Sequence, residues 1–159
     1  MTDILKALAA PNQPEAIFQA LEAEVQATIG VKLFTLMTIH RDRNVARRCY
    51  TNMPDEYPTS GEKEMTPNAW SDQVEGRHET FVANSIEEIA AVFPDHALIQ
   101  SLGCESCINI PVVIGGDVVG TLNCLHEAGH YTPDRVAASD SLKIPGALAF
   151  LVAAMETKA

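Results

Sequence analysis

The residues best suited to chemistry in this sequence are thiols and imidazoles in its second half. Cys104 and Cys107 form a Cys-x-x-Cys pair, and Cys124 and His126 follow downstream. Zinc is held by sulfur and nitrogen ligands in a tetrahedral arrangement, so these four residues are the set that would bind a metal, with His130 as an alternative ligand. The spacing is not that of two Cys-x-x-Cys motifs, and free cysteines are often buried and inert, so we assign no metal site.

The same thiols could support redox chemistry. A reversible disulfide would join Cys107 to Cys124 or Cys104 to Cys107, and these three thiols are the ones that a redox enzyme would use for catalysis. Directly opposed strand residues lie at the short end of the separations that disulfides prefer, so a bond between Cys107 and Cys124 would be strained and easily reduced. Such a bond suits a switch better than a structural crosslink. We assign no catalytic residue from this pattern.

Composition limits the partners of the chain. Its 159 residues include 21 acidic and 11 basic side chains, which give a net charge of −10, and 47% of the residues are hydrophobic. These values are typical of one globular domain, and the negative charge argues against nucleic acid, whose binding requires clustered Lys and Arg. The sequence lacks an apolar run of about 20 residues and a leader pattern after Met1, so we expect a cytoplasmic protein that does not enter a membrane.

The first half of the chain predicts a helix, a hairpin and a long excursion. Apolar residues recur at helical spacing over residues 14–29. Residues 31–40 and 45–52 are rich in β-branched and aromatic side chains and are predicted to pair as strands. Residues 53–79 contain several Pro and Gly residues and predict an excursion with one short helix near residues 67–74.

The second half predicts short helices, a strand hairpin and a closing helix. A strand at residues 80–83 leads into a helix capped by Ser85, and a second short helix is predicted over residues 95–102. The closing helix covers residues 133–158, and Pro145 predicts a kink or break in it.

A two-residue turn at Gly115 and Gly116 fixes the register predicted for the hairpin of residues 107–126. In this register the pairs are Val113 with Val118, Asn109 with Leu122, and Cys107 with Cys124.

This order of elements resembles the GAF domain family. The resemblance rests on Thr-Phe-Val-Ala-Asn-Ser at residues 80–85, which enters a helix, and on Ile-Pro-Val-Val-Ile-Gly-Gly-Asp-Val-Val-Gly-Thr-Leu-Asn at residues 110–123, which is similar to the closing hairpin of the family. It extends over about residues 14–154.

The resemblance implies an α+β fold formed as a single domain over residues 1–159. A central antiparallel sheet of about six strands would carry the N- and C-terminal helices on one face, with short helices and loops over a pocket on the other. Family members bind small molecules and usually regulate an attached output domain. The sequence has no second domain, so we expect a stand-alone sensory domain that signals through ligand binding and a helix-mediated interface.

The resemblance also directs attention to the residues that would line the pocket, which the hairpin would floor and the excursion would cover. We expect a small, apolar or neutral ligand and name no cofactor. The adjacent Cys-His pair that attaches bilins in related domains is absent, whereas His96, His126 and His130 leave noncovalent haem as an alternative. The candidate ligand-binding residues are Tyr50, Tyr57, Trp70, His96, Cys107, Asn109 and Cys124.

One enzyme of the family, free methionine-(R)-sulfoxide reductase, provides the alternative function. The segment at residues 93–96, Phe-Pro-Asp-His, resembles part of its motif, and Cys104, Cys107 and Cys124 would then be its catalytic thiols. The cysteine expected shortly after that segment is replaced by Ile99, so the resemblance to this enzyme is incomplete.

The closing helix predicts a partner. Residues 147–155 are apolar around more than one face of the helix, so part of this surface would be buried against another chain unless the helix lies wholly against its own sheet. Members of the family that this chain resembles often pair through terminal helices, and we therefore expect a homodimer.

Overall fold

The computed structural model of the chain describes residues 2–59 and 61–158, which fold around a six-stranded antiparallel sheet. The strands are β1 (Leu33–His40), β2 (Val45–Thr51), β3 (Glu62–Glu64), β4 (Phe81–Ala83), β5 (Ser106–Ile114) and β6 (Asp117–His126). They lie in the order β3-β2-β1-β6-β5-β4, so the two hairpins meet where β1 pairs with β6.

Helices cover both faces of the sheet, and this arrangement confirms the predicted α+β class. The helices are α1 (Thr2–Ala9), α2 (Glu15–Thr28), α3 (Ala69–Ser71), which runs into a π-helical turn (Asp72–Gly76), α4 (Ile86–Ala90), α5 (His96–Ser101), α6 (Pro133–Ala138), a 3-10 turn (Ser139–Leu142) and α7 (Lys143–Lys158). The N- and C-terminal helices pack on one face, called here the helix face, and α3 to α5 lie on the other, called the cavity face.

Alternate strand residues enter two separate cores, because successive side chains of a strand point to opposite faces. Phe34 of β1 and Leu122 of β6 belong to the larger core on the helix face. Leu33 and Leu125 belong to the smaller core on the cavity face. A shift of one residue in register therefore moves a side chain from one compartment to the other.

A β-bulge in the β5–β6 hairpin changes the predicted register. Val113 pairs with Val118 as predicted, but the next pair is Val112 with Gly120, so Val119 is an extra residue in β6. Beyond this point the predicted pairs are wrong. The observed pairs are Asn109 with Asn123, Ile108 with Cys124, and Cys107 with Leu125.

Two glycines allow α7 to lie directly on the sheet. A Cβ added at Gly120 of β6 would lie 2.5 Å from Cζ of Phe150 in α7 and 2.6 Å from the carbonyl oxygen of Met37. A Cβ added at Gly146 of α7 would lie 2.9 Å from Cδ1 of Leu122. Real Cβ atoms essentially never show contacts this short, so neither glycine can carry a side chain while α7 and β6 keep these positions.

The closing helical segment is irregular near the predicted position. The 3-10 turn Ser139–Leu142 lies immediately before α7, and Pro145 occupies the first turn of α7. A proline has no N–H for the carbonyl four residues earlier, so the α-helical hydrogen-bond pattern is interrupted between α6 and α7. The segment Pro133–Glu156 meets the length and hydropathy expected of a membrane span, and 33% of its most apolar 18-residue window is buried.

Candidate functional site

A cavity of about 440 Å³ lies between the cavity face of the sheet and the segment that leads from β3 to α5. Four strands, β1, β2, β5 and β6, supply its floor. Apolar atoms contribute most of its surface, and Trp70 and Phe93 meet edge to face there, with ring centroids 6.4 Å apart. This volume lies within the range of 300–1,000 Å³ that is common for small-molecule sites.

The floor of the cavity carries a chain of side-chain hydrogen bonds. The indole Nε1–H of Trp70 donates to Oδ1 of Asn109 over 3.0 Å. Nδ2 of Asn109 donates to Oδ1 of Asn123 over 2.9 Å, and the hydroxyl of Thr121 donates to the same oxygen over 3.0 Å. The excursion and both strands of the hairpin are thereby joined by polar contacts in the cavity.

Charged side chains lie at the rim of the cavity. Tyr57 donates its hydroxyl to Oδ2 of Asp95 over 2.5 Å, and the Arg48 guanidinium lies 3.9 Å from the centre of the Tyr57 ring. Burial, followed by the hydrogen bond to Asp95, raises the pKa of Tyr57 above its ordinary value, so this hydroxyl stays protonated. Burial also raises the pKa of the Glu75 carboxyl, and nearby Arg41 opposes this shift.

The structure brings four of the seven candidate ligand-binding residues together. Tyr57, Trp70, Cys107 and Asn109 line the cavity. The other three do not. Tyr50 lies in the core of the helix face and donates to Glu22 over 2.7 Å, and Cys124 lies in the same core. His96 is the first residue of α5, half-buried, and lies outside the lining.

Sequence reasoning missed two polar residues in the floor, Thr35 and Asn123. Their position in the floor follows from the strand register, because Asn123 pairs with Asn109 on one side and with Thr35 on the other. A strand proline and a strand glycine often mark a bulge. Pro111 and Gly120 therefore provided a signal from which the shift could have been found.

The thiols do not form the sets that the spacing suggested. Cys104 and Cys107 lie in the core of the cavity face, whereas Cys124 lies on the helix face, so the predicted opposition of Cys107 and Cys124 is wrong. His126 follows Cys124 on β6 and stacks against His130, away from Cys104 and Cys107. The four metal candidates are thus divided by the sheet.

Burial suppresses the chemistry of the thiols. It raises the pKa of Cys107 to about 12 and that of Cys49 to about 11, and it raises the pKa of Cys104 and Cys124 as well. A thiolate is the reactive form of cysteine, so at neutral pH these groups are poor nucleophiles.

Slow thiol labelling is the expected result of this burial. In a Cys49→Ser variant, which lacks the half-buried thiol, we expect a disulfide reagent to label the remaining three thiols at least about 100-fold more slowly in the native protein than in denaturant. Mass spectrometry with time would give the rates. Native labelling within seconds at one of these cysteines would contradict the expectation and favour the thiol enzyme.

His126 and His130 form a stacked pair at the end of β6. Their ring centroids are 3.5 Å apart with an interplanar angle of 4°, and Nε2 of His130 lies 2.7 Å from the carbonyl oxygen of Ile29. Ligand atoms of the two histidines and of Glu127 lie within 4.8 Å of one another. Imidazole lone pairs lie in the ring plane, so two parallel rings do not converge on one metal ion in this arrangement.

The histidine pair predicts a loss of stability in acid. Burial, followed by the charge of His130, lowers the pKa of His126 below its usual 6.5. The unfolded chain then binds more protons than the folded one, so stability is retained above about pH 6.5 and falls as the pH drops below it. We expect His126→Gln to reduce the fall in Tm between about pH 7.5 and about pH 5.5.

A matched substitution at the exposed His78, His78→Asn, serves as the control, since Asn tolerates the positive φ of 60° at this position. Equal acid sensitivity of the wild type and His126→Gln would show that other groups dominate.

The chain belongs to the GAF domain family, whose sequence pattern matches residues 12–142. The fold described above agrees with this assignment. A search of curated proteins finds no match.

Solved GAF domains share the fold of this chain. The GAF domain of a two-component sensor histidine kinase from Bacillus halodurans has 12% identity and a TM-score of 0.70, covering 92% of this chain and 97% of its own. The GAF domain of a phosphoenolpyruvate-protein phosphotransferase from Coxiella burnetii has 16% identity and a TM-score of 0.68, covering 99% and 92%. The PixJ GAF domain from Thermosynechococcus elongatus, in its blue-light absorbing form, has 12% identity and a TM-score of 0.63, covering 91% and 89%.

Proposed function

We propose that this protein is a cytoplasmic sensory domain, which binds a small neutral or largely apolar molecule in the cavity and signals through its terminal helices. The observation that carries the proposal is the cavity of about 440 Å³ with hydrogen-bonding side chains in its floor. A pocket with an apolar wall and a few placed polar groups is the common form of a small-molecule site. The solved relatives include a sensor histidine kinase domain and a light-absorbing domain, which supports a sensory role.

Binding explains the site better than thiol catalysis does. Cys107 is the thiol that lines the cavity, and burial holds its pKa at about 12. A resolving thiol on Cys124 would have to cross the sheet to reach it. Trp70 and Asn109, in contrast, already present an aromatic edge and amide groups to the cavity.

Native mass spectrometry of protein purified without reductant tests the proposal. We expect an added mass that is lost on denaturation, and we expect Trp70→Ala to abolish it while Cys107→Ser retains it. The chain has one Trp, so its fluorescence reports on the cavity without labelling. A bare native chain whose Trp70 fluorescence is unchanged by cell metabolite extracts would overturn the proposal.

We also propose that two copies of this chain pair through the exposed apolar face of α7. Ile144, Leu151 and Met155 of α7 are 71%, 49% and 68% exposed, and Leu5 of α1 is 65% exposed. The α7 residues are spaced by seven and four positions, which is the spacing of a coiled-coil seam. Two copies of such a seam are complementary around a twofold axis.

Light scattering of Leu151→Glu tests this interface. We expect a dimer for the wild type at micromolar concentration and a monomer for the variant. Leu98→Glu is the matched control, because Leu98 is also exposed, at 42%, but lies on α5. A monomeric wild type would contradict the dimer, and binding of that monomer to lipid vesicles would assign the apolar face to a membrane.

A further inference from the structure

The orientation of two amide side chains in the cavity floor is fixed by Trp70. An indole N–H can donate a hydrogen bond but cannot accept one. The atom of Asn109 that faces Nε1 of Trp70 must therefore be the carbonyl oxygen, which lies 3.0 Å away. The amide nitrogen of Asn109 then points toward Asn123, where it donates to Oδ1 over 2.9 Å.

Asn123 is left with a donor that faces the cavity. Its Oδ1 accepts from Asn109 and from the hydroxyl of Thr121, so both bonds agree on the orientation of this amide. Its Nδ2 has no hydrogen-bond partner among residues 2–59 and 61–158. Asn123 lines the cavity, so these two N–H groups are available to a bound molecule.

Thr35 places a second polar group beside this donor. It is the direct cross-strand neighbour of Asn123 and lines the same cavity, although it is only 3% exposed. In the described part of the chain its hydroxyl makes no side-chain hydrogen bond. Such a hydroxyl can accept as well as donate, so the floor offers a donor next to an acceptor.

The charges around the cavity favour an uncharged ligand. The lining contains two cations, Arg48 and Lys63, and three carboxylates, Glu64, Glu75 and Asp95. Arg48 already donates to the carbonyl oxygen of Pro58 and stacks on Tyr57. Thr35, Asn109 and Asn123 are themselves neutral, so an anion bound to these side chains would find no counter-ion among them, and burying it would be costly.

We propose that the cavity binds an uncharged molecule with a carboxamide or lactam group, whose carbonyl accepts from Nδ2 of Asn123 and whose N–H donates to Thr35, with an apolar ring beside Trp70. This inference rests on the proposed function, because it requires the cavity to be a ligand site. It goes further by naming the chemical class and the two side chains that select it.

Three probes that share one ring separate the ligand classes, namely benzamide, benzoate and benzylamine. We expect ligand-detected NMR titrations and Trp70 fluorescence to give the highest affinity for benzamide. Thr35→Val, which preserves shape, removes one hydrogen bond and should weaken benzamide binding by about tenfold. Asn12→Ala, at an exposed residue far along the chain, is the control that should change nothing.

The Asn123→Asp substitution tests the free donor of Asn123 separately from its other contacts. Its carboxylate can still accept from Asn109 and Thr121, but it presents an acceptor in place of the free donor. We expect Asn123→Asp to bind benzamide at least about tenfold more weakly than the wild type does, and to bind benzylamine more tightly.

Benzoate or benzylamine binding the wild type as well as benzamide would overturn this inference and leave the cavity proposal standing. Failure of all three probes would also overturn it, and native mass spectrometry would then decide the cavity proposal separately.

Discussion

Gly120→Ala is expected to destabilise the protein by about 2–3 kcal/mol, because overpacking in a tight core costs this much. The new Cβ would lie 2.5 Å from Cζ of Phe150 and 2.6 Å from the backbone oxygen of Met37. The carbonyl belongs to the backbone of the neighbouring strand β1, so this contact cannot be relieved by a side-chain rotation. For a chain of this length the loss corresponds to a fall in Tm of about 4–12 °C, which calorimetry would measure.

Substitutions at two other glycines serve as controls for Gly120→Ala. Gly61→Ala should leave Tm within about 2 °C, since a Cβ there meets nothing within 4 Å. Gly146→Ala should lie between the two, because its contact is the end of the flexible Leu122 side chain and alanine favours a helix. A Gly120→Ala variant as stable as Gly61→Ala would mean that α7 does not pack on β6 as described.

Asn84→Ala is expected to cost about 2–3 kcal/mol, since it removes two hydrogen bonds from a half-buried loop. Nδ2 of Asn84 donates to the carbonyl oxygen of Tyr131 over 3.0 Å, and its Oδ1 accepts from the Tyr131 N–H over 3.1 Å. This paired contact fixes the loop between β6 and α6. Chemical denaturation would measure the loss, and hydrogen exchange should show it concentrated in residues 127–132.

Asn12→Ala provides the comparison, because Asn12 is exposed and its side chain makes no hydrogen bond within the described residues. Equal stability of Asn84→Ala and Asn12→Ala would contradict the role of the paired Asn84–Tyr131 hydrogen bonds in fixing the loop. Asn84→Asp separates the two bonds, because a carboxylate can still accept from the N–H but cannot donate to the carbonyl.

Local sequence patterns were sufficient to predict most of the helices, strands and turns. The glycine pair at residues 115 and 116 predicted the turn, and it predicted the Val113–Val118 pair correctly. Ser85 caps α4 by accepting from the N–H of Glu88, as predicted. These features depend on a few neighbouring residues, so one sequence contains the information that they need. Strand β3, only three residues long and exposed, has no hydrophobic pattern and was missed.

The site was predicted less well because it depends on register. The extra residue at Val119 moves Cys124 to the helix face and places Asn123 beside Asn109. A second irregularity, between Leu36 and Met37 of β1, affects β2, where Tyr50 faces the helices. Neither shift is required by any single residue, because each follows from how two strands pack between two layers.

Successive side chains of β6 point alternately to the cavity face and to the helix face, so this strand contacts both the cavity and α7. Asn123 lines the cavity, while the neighbouring Leu122 lies against Gly146 of α7 on the helix face. Protein interiors have low compressibility, and neither Gly120 nor Gly146 leaves room for a Cβ on the helix side. A displacement of β6 toward the helices would therefore press directly on α7, which makes this strand the physical link between the cavity and the closing helix.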